Sequence, residues 1–76
     1  MNSYLICELK RGDKGRVTEV KKYTEELGSM GISPGSHFKV LTKDPESGPV
    51  KLLVDKGRSR VLIKKEIAEN VLVIKD

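Results

Sequence analysis

Hydrophobic and polar positions alternate most cleanly over Ser36 to Lys43. Phe38, Val40 and Thr42 fall on one side of an extended chain, and His37, Lys39 and Leu41 on the other. Val50 to Val54 repeats the pattern, with Val50, Leu52 and Val54 facing a core and Lys51 and Leu53 outward or half-covered. Arg58 to Ile63 reads as the partner strand, because Asp55-Lys56-Gly57 before it has the makings of a compact hairpin turn with Gly57 at a left-handed position. Gly15 to Lys22 alternates imperfectly around Val17 and Val20, which predicts a strand with a bulge or bend. Val71 to Ile74 is an unbroken apolar run, expected to be a final strand buried on most of its surface. Tyr4-Leu5-Ile6-Cys7 is a short apolar start feeding a turn at Glu8 to Asp13. Asp44 to Pro49 collects breakers and is expected to be a loop.

Two short helical turns interrupt these strands. Lys64 to Asn70 has helix-forming composition for one or two turns, with Asn70 as a C-terminal stop. The other lies in Leu27-Gly28-Ser29-Met30-Gly31-Ile32-Ser33-Pro34-Gly35. Thr24 is the expected N-cap, and Glu25 and Glu26 follow in the first turn, where the helix dipole favours negative charge. Leu27 and Met30, three apart, share one face, and Gly31 is placed for the left-handed position after the helix. Ser33-Pro34-Gly35-Ser36 fits a type II turn, with Pro fixing φ and Gly supplying φ > 0. Five short strands joined by tight turns point to an all-β small barrel, since closure hides the edges an open sheet exposes.

Composition narrows the function classes. At 76 residues the chain is expected to be one domain spanning 1–76. Its aromatic residues are Tyr4, Tyr23 and Phe38, with no Trp, so the core must be built of Val, Ile and Leu. The formal charge of +4 invites a polyanion partner, but Asp13, Glu19, Asp55 and Glu66 interrupt both basic stretches, which favours a solvated mixed face. Cys7 is the single cysteine, so a disulfide within the chain is impossible and a reducing compartment is expected. No apolar run approaches the roughly 20 residues of a membrane span, so a cytoplasmic protein is expected.

The order of motifs resembles the FeoA family of small components of ferrous iron transport systems. The resemblance runs from Leu5 to Val73. It is carried by Leu9-Lys10-Arg11-Gly12, Val17, Leu27-x-x-Met30-Gly31-Ile32-Ser33-Pro34-Gly35 and Gly48-Pro49-Val50, and closes with Val61 to Ala68 and Val71 to Val73. A related domain ends iron- and manganese-responsive repressors; no helix-turn-helix region accompanies it here, which points to the stand-alone form. The resemblance implies an SH3-like barrel and an accessory role beside FeoB, a membrane permease with a cytoplasmic G domain. It also implies a protein not known as an enzyme, recruited at most to the inner face of the membrane. The chain departs from the family at Glu26, where a basic residue is common, and at Gly28 and Ser29, where larger residues are. The helix should therefore be weak, since Gly costs about 1 kcal/mol against Ala in a helix.

Side-chain chemistry agrees with a binding protein. Cys7 and His37 are the soft or borderline metal ligands, 30 positions apart, and a metal site needs three or four converging groups. No metal site, no cofactor and no catalytic residue is expected, and iron would associate at most transiently. Gly12-Asp13-Lys14-Gly15 lacks the Lys-Ser/Thr ending of a phosphate loop. Base-stacking aromatics are too few for a nucleic-acid platform, and none is expected as partner. The expected contact surface lies where Leu27 and Met30 approach the hairpin, with Lys56, Arg58 and Arg60 available to an acidic patch on a partner. Weak self-association is a further expected contact. The alternative is a stand-alone regulatory module for a transition metal or nucleic acid. Metal binding requires Cys7 and His37 to meet, and polyanion binding requires one continuous basic face.

Overall fold

The computed structural model describes residues 2–43 and 48–76. Its strands are β1 (Ser3–Leu5), β2 (Lys14–Val20), β3 (His37–Lys43), β4 (Val50–Val54), β5 (Ser59–Ile63) and β6 (Val71–Lys75). They form one antiparallel sheet in the order β1-β6-β2-β3-β4-β5. The sheet curls around a core of Val, Leu and Ile with Phe38, giving near-equal extents of 27 × 25 × 24 Å. The sixth strand, β1, was not expected. Ser3, Tyr4 and Leu5 pair with Ile74, Val73 and Leu72, so the apolar start is extended by its distant partner.

Helix α1 (Thr24–Ser29) and helix α2 (Lys65–Ala68) occupy the two expected helical turns. Thr24 is the first helical residue and not the cap. Tyr23 takes that place in a left-handed conformation (φ 64°), and its carbonyl accepts from Leu27 N–H at 2.9 Å. The C-terminal end follows the sequence closely. Ile32 N–H donates to Leu27 O at 2.8 Å and Gly31 N–H to Gly28 O at 3.1 Å, with Gly31 at φ 83°. These are the two bonds of a Schellman cap, and its apolar contact is between Leu27 and Ile32, both in the core. The type II turn forms next, with Ser36 N–H donating to Ser33 O at 2.9 Å and Gly35 at φ 94°. At α2, Asn70 Nδ2 donates to Glu66 O at 2.9 Å and ends the helix with its side chain.

Gly28 and Gly31 should respond oppositely to alanine. Gly28 lies inside α1 with open space around its missing Cβ, so Gly28→Ala should stabilise by about 0.5–1 kcal/mol. Gly31→Ala should destabilise by about 1–2 kcal/mol, because the left-handed conformation strains any Cβ. Thermal melts of the two variants should shift in opposite directions; shifts of one sign would contradict this capping.

Bulges set which residues face inward. Pairing of β2 with β6 shifts between Val17 and Glu19, the irregularity expected in that strand. Pairing of β3 with β4 shifts between Val40 and Thr42, and this turns Thr42 to solvent, against the alternation that placed it beside Phe38 and Val40. Within β6, Val71 and Val73 are buried while Leu72 and Ile74 are half-buried, so the apolar run is two-sided but unequal. Asp44 to Ser47, most of the expected loop, lies outside the described residues.

Candidate functional site

A cleft of about 490 Å³ opens between the C-terminal end of α1 and the β4–β5 hairpin. Gly28, Ser29, Met30 and Gly31 form one wall, Asp55, Lys56 and Ser59 the other, and Gly35, Ser36 and His37 the rest. The Schellman cap and the type II turn together hold the first wall against the start of β3. Gly35 N–H donates to Val17 O and Val17 N–H to Ser36 O, each at 2.8 Å, which ties the turn to β2.

The opposite wall is a strained loop. Asp55 (φ 52°), Lys56 (φ 54°) and Gly57 (φ 86°) are left-handed in succession. Gly57 tolerates this freely and Asp often does, but Lys56 carries a cost of order 1 kcal/mol or more. Lys56 lines the cleft across from Met30.

The five candidate contact residues fall into different places. Met30 is half-buried, packs on the core and lines the cleft. Lys56 is exposed and lines it too. Leu27 is completely buried, so it supports the helix from beneath and offers no surface. Arg58 is exposed in the hairpin, and Arg60 projects from β5 on the outer face of the sheet, paired with Leu53. Sequence reading missed Ser36, His37 and Ser59 as parts of the cleft. The outward position of His37, directly after the turn, was the available signal.

Cys7 and His37 do not meet. His37 begins β3 and lines the cleft. Cys7 sits in a short 3₁₀ turn, Ile6–Glu8, where Lys43 at the far end of β3 bears on it electrostatically. Six residue steps of a strand amount to about 20 Å. Burial, and then the carboxylates of Glu69 and Glu8, push the Cys7 thiol above its ordinary value, which keeps it protonated and unreactive at neutral pH. Among the described residues no three His, Cys, Asp or Glu side chains gather as a metal-binding group.

The charge distribution differs from the mixed face expected. Lys14 pairs with Lys39, Lys39 with Leu53, and Leu53 with Arg60, giving one row across four strands. Arg16 beside His37 and Lys51 beside Leu62 extend it along the strands. The acids that interrupt the sequence lie elsewhere: Asp13 and Asp55 in turns, Glu66 in α2, and Glu19 at the far end of β2. Alternation sorted the signs, because Lys39, Lys51 and Arg60 take outward positions of β3, β4 and β5 and no carboxylate does.

Comparisons with known proteins place the chain. The family model described as FeoA domain matches residues 5–75. A crystal structure described as iron uptake regulatory protein (FeoA) is 33% identical, with all of both chains covered and a TM-score of 0.90. The FeoA protein of Chlorobium tepidum is 25% identical over 93% of this chain and 70% of its own, with a TM-score of 0.79. A manganese-dependent transcriptional repressor shares the fold at 20% identity and a TM-score of 0.87, over 97% of this chain and 42% of the repressor. Curated protein sequences give no match. Among the described residues no helix is long and apolar enough to cross a membrane. The fold is the expected small SH3-like one, and the chain belongs to the FeoA family of ferrous iron uptake proteins.

Proposed function

We propose that this protein is an accessory component of ferrous iron uptake that works by binding the cytoplasmic part of a FeoB-type permease through the cleft between α1 and the β4–β5 hairpin. The observation that carries this reading is the pairing of Met30 and Lys56 on opposite walls of that cleft. Met30 is a flexible, polarizable side chain suited to adaptable contacts, and Lys56 is a free-standing positive charge. Iron is cargo for the permease in this reading; the accessory protein performs no bond chemistry and acts in the cytoplasm at the inner face of the membrane.

The test is binding of the full chain to the isolated G domain and, separately, to the whole permease in detergent. Saturable binding is expected. Met30→Asp should weaken it at least tenfold, by placing a charge in an apolar contact. Lys56→Glu should weaken it in a salt-dependent way. Thermal melts confirm that both variants fold. No binding to either form at protein concentrations up to roughly 0.5 mM would overturn the direct-partner mechanism.

A further inference from the structure

We infer that the outer face of β2–β5 is a membrane-docking surface that binds the anionic headgroups of a phospholipid leaflet. Five basic side chains, Lys14, Arg16, Lys39, Lys51 and Arg60, project from it and all are exposed. The row from Lys14 to Arg60 spans three inter-strand steps, about 14 Å. Lys14 stands directly opposite Lys39, an arrangement of like charges that destabilises a sheet and that an anionic surface would relieve. Among the described residues none of the five is in an ion pair; the one ion pair there joins Lys75 to Asp13 at 3.7 Å. No acidic residue holds an outward position on β3, β4 or β5, or on β2 where it runs beside β3, although Asp76 borders the face near Lys14.

Leu62 decides between kinds of polyanion. It is 65% exposed, an unusual state for a leucine on a strand, and it stands next to Lys51 with Arg60 two residues away. A leucine set among lysine and arginine suits the boundary of headgroup and acyl chain, where charge attracts the surface and the apolar side chain enters it. Single-stranded nucleic acid would instead require aromatic faces for stacking. This surface has none, since Phe38 is buried on the other side of the sheet and Tyr4 and Tyr23 lie outside β2–β5. His37 borders both this face and the cleft, so a molecule lying on the leaflet keeps the cleft at its margin. The inference stands independently of the permease, which pure lipid vesicles do not contain.

Co-sedimentation of the full chain with phosphatidylcholine vesicles, with and without an equal part of phosphatidylglycerol, tests it. Binding to the anionic vesicles alone is expected, falling steeply between roughly 0.05 and 0.3 M salt. Each basic charge near a leaflet is worth about fivefold in partitioning, so Lys39→Glu with Arg60→Glu should lose at least about 25-fold. Lys21→Glu with Lys22→Glu changes the net charge equally away from the face and should lose less than about fivefold. Leu62→Ser should lose a few-fold, independent of salt. All variants change exposed side chains, and circular dichroism verifies their fold. No binding to anionic vesicles at low salt, or equal loss in the two charge-reversal pairs, would overturn the proposal. So would tighter binding to single-stranded RNA or DNA at matched phosphate concentration.

Discussion

Replacing Gly15 by alanine is expected to cost about 3 kcal/mol or more and to lower the melting temperature by roughly 15 °C. Gly15 pairs with Phe38 on one side and Lys75 on the other, so both neighbours of β2 close on it. A Cβ there would lie 1.9 Å from Ile74 O, 2.9 Å from Ile74 C and 3.0 Å from Lys75 Cα. These are backbone atoms of a paired strand and cannot step aside as a flexible side chain would. Relief requires β2 and β6 to separate, which breaks the ladder joining the C-terminal strand to the rest. Gly12→Ala is the comparison. Its position is left-handed at φ 91° but open, so it should cost about 1 kcal/mol from backbone strain alone. Denaturant titration of both variants measures the difference, and a Gly15→Ala variant within about 1 kcal/mol of the parent would refute the close approach.

Leu27→Ala should cost about 2–5 kcal/mol and should also abolish the permease binding proposed for the cleft. Leu27 is completely buried, and it is the one core residue of the six-residue helix α1. It anchors α1 by its side chain and accepts two cap hydrogen bonds through its carbonyl, from Met30 at 3.0 Å and Ile32 at 2.8 Å. A helix this short has little stability of its own, and Gly28 weakens it further. Removing the anchor therefore loosens the wall that carries Ser29 and Met30. Leu27→Met keeps the volume and should cost under about 1.5 kcal/mol while leaving binding intact. If Leu27→Ala melted with the parent, the wall would have to be held by something other than this side chain.

Much of the local structure was legible because its causes are local. Pro34-Gly35 makes its turn whatever surrounds it, since one residue fixes φ and the other supplies the positive value. Gly31 and Gly57 were legible for the same reason. The buried faces of β3 and β4 followed from alternation, up to the bulge that turned Thr42 outward. The approach of Met30 to the hairpin was also expected. Thr24 misled because capping preference speaks for a residue type, while the left-handed backbone of Tyr23 takes the cap position. Leu27 was read as a contact residue, and burial gives it a place in the core instead.

The sequence by itself determined the all-β class, the turn positions and the family, because each rests on backbone chemistry or motif order readable over a few residues. Tertiary structure alone decided the features that depend on partners distant in the chain. Tyr4 became a strand residue because Val73 pairs with it, and Gly15 became indispensable because Ile74 passes so near. His37 joined the cleft because α1 and the hairpin both close on the start of β3. The basic face arose in the same way: acids interleave with bases along the chain, but sheet pairing gathers outward positions from four strands and leaves Asp13, Asp55 and Glu66 in turns and a helix and Glu19 at the far end of β2. Charge order along a sequence does not fix charge order on a surface, since strand register, set by burial of the opposite face, chooses which side chains become neighbours.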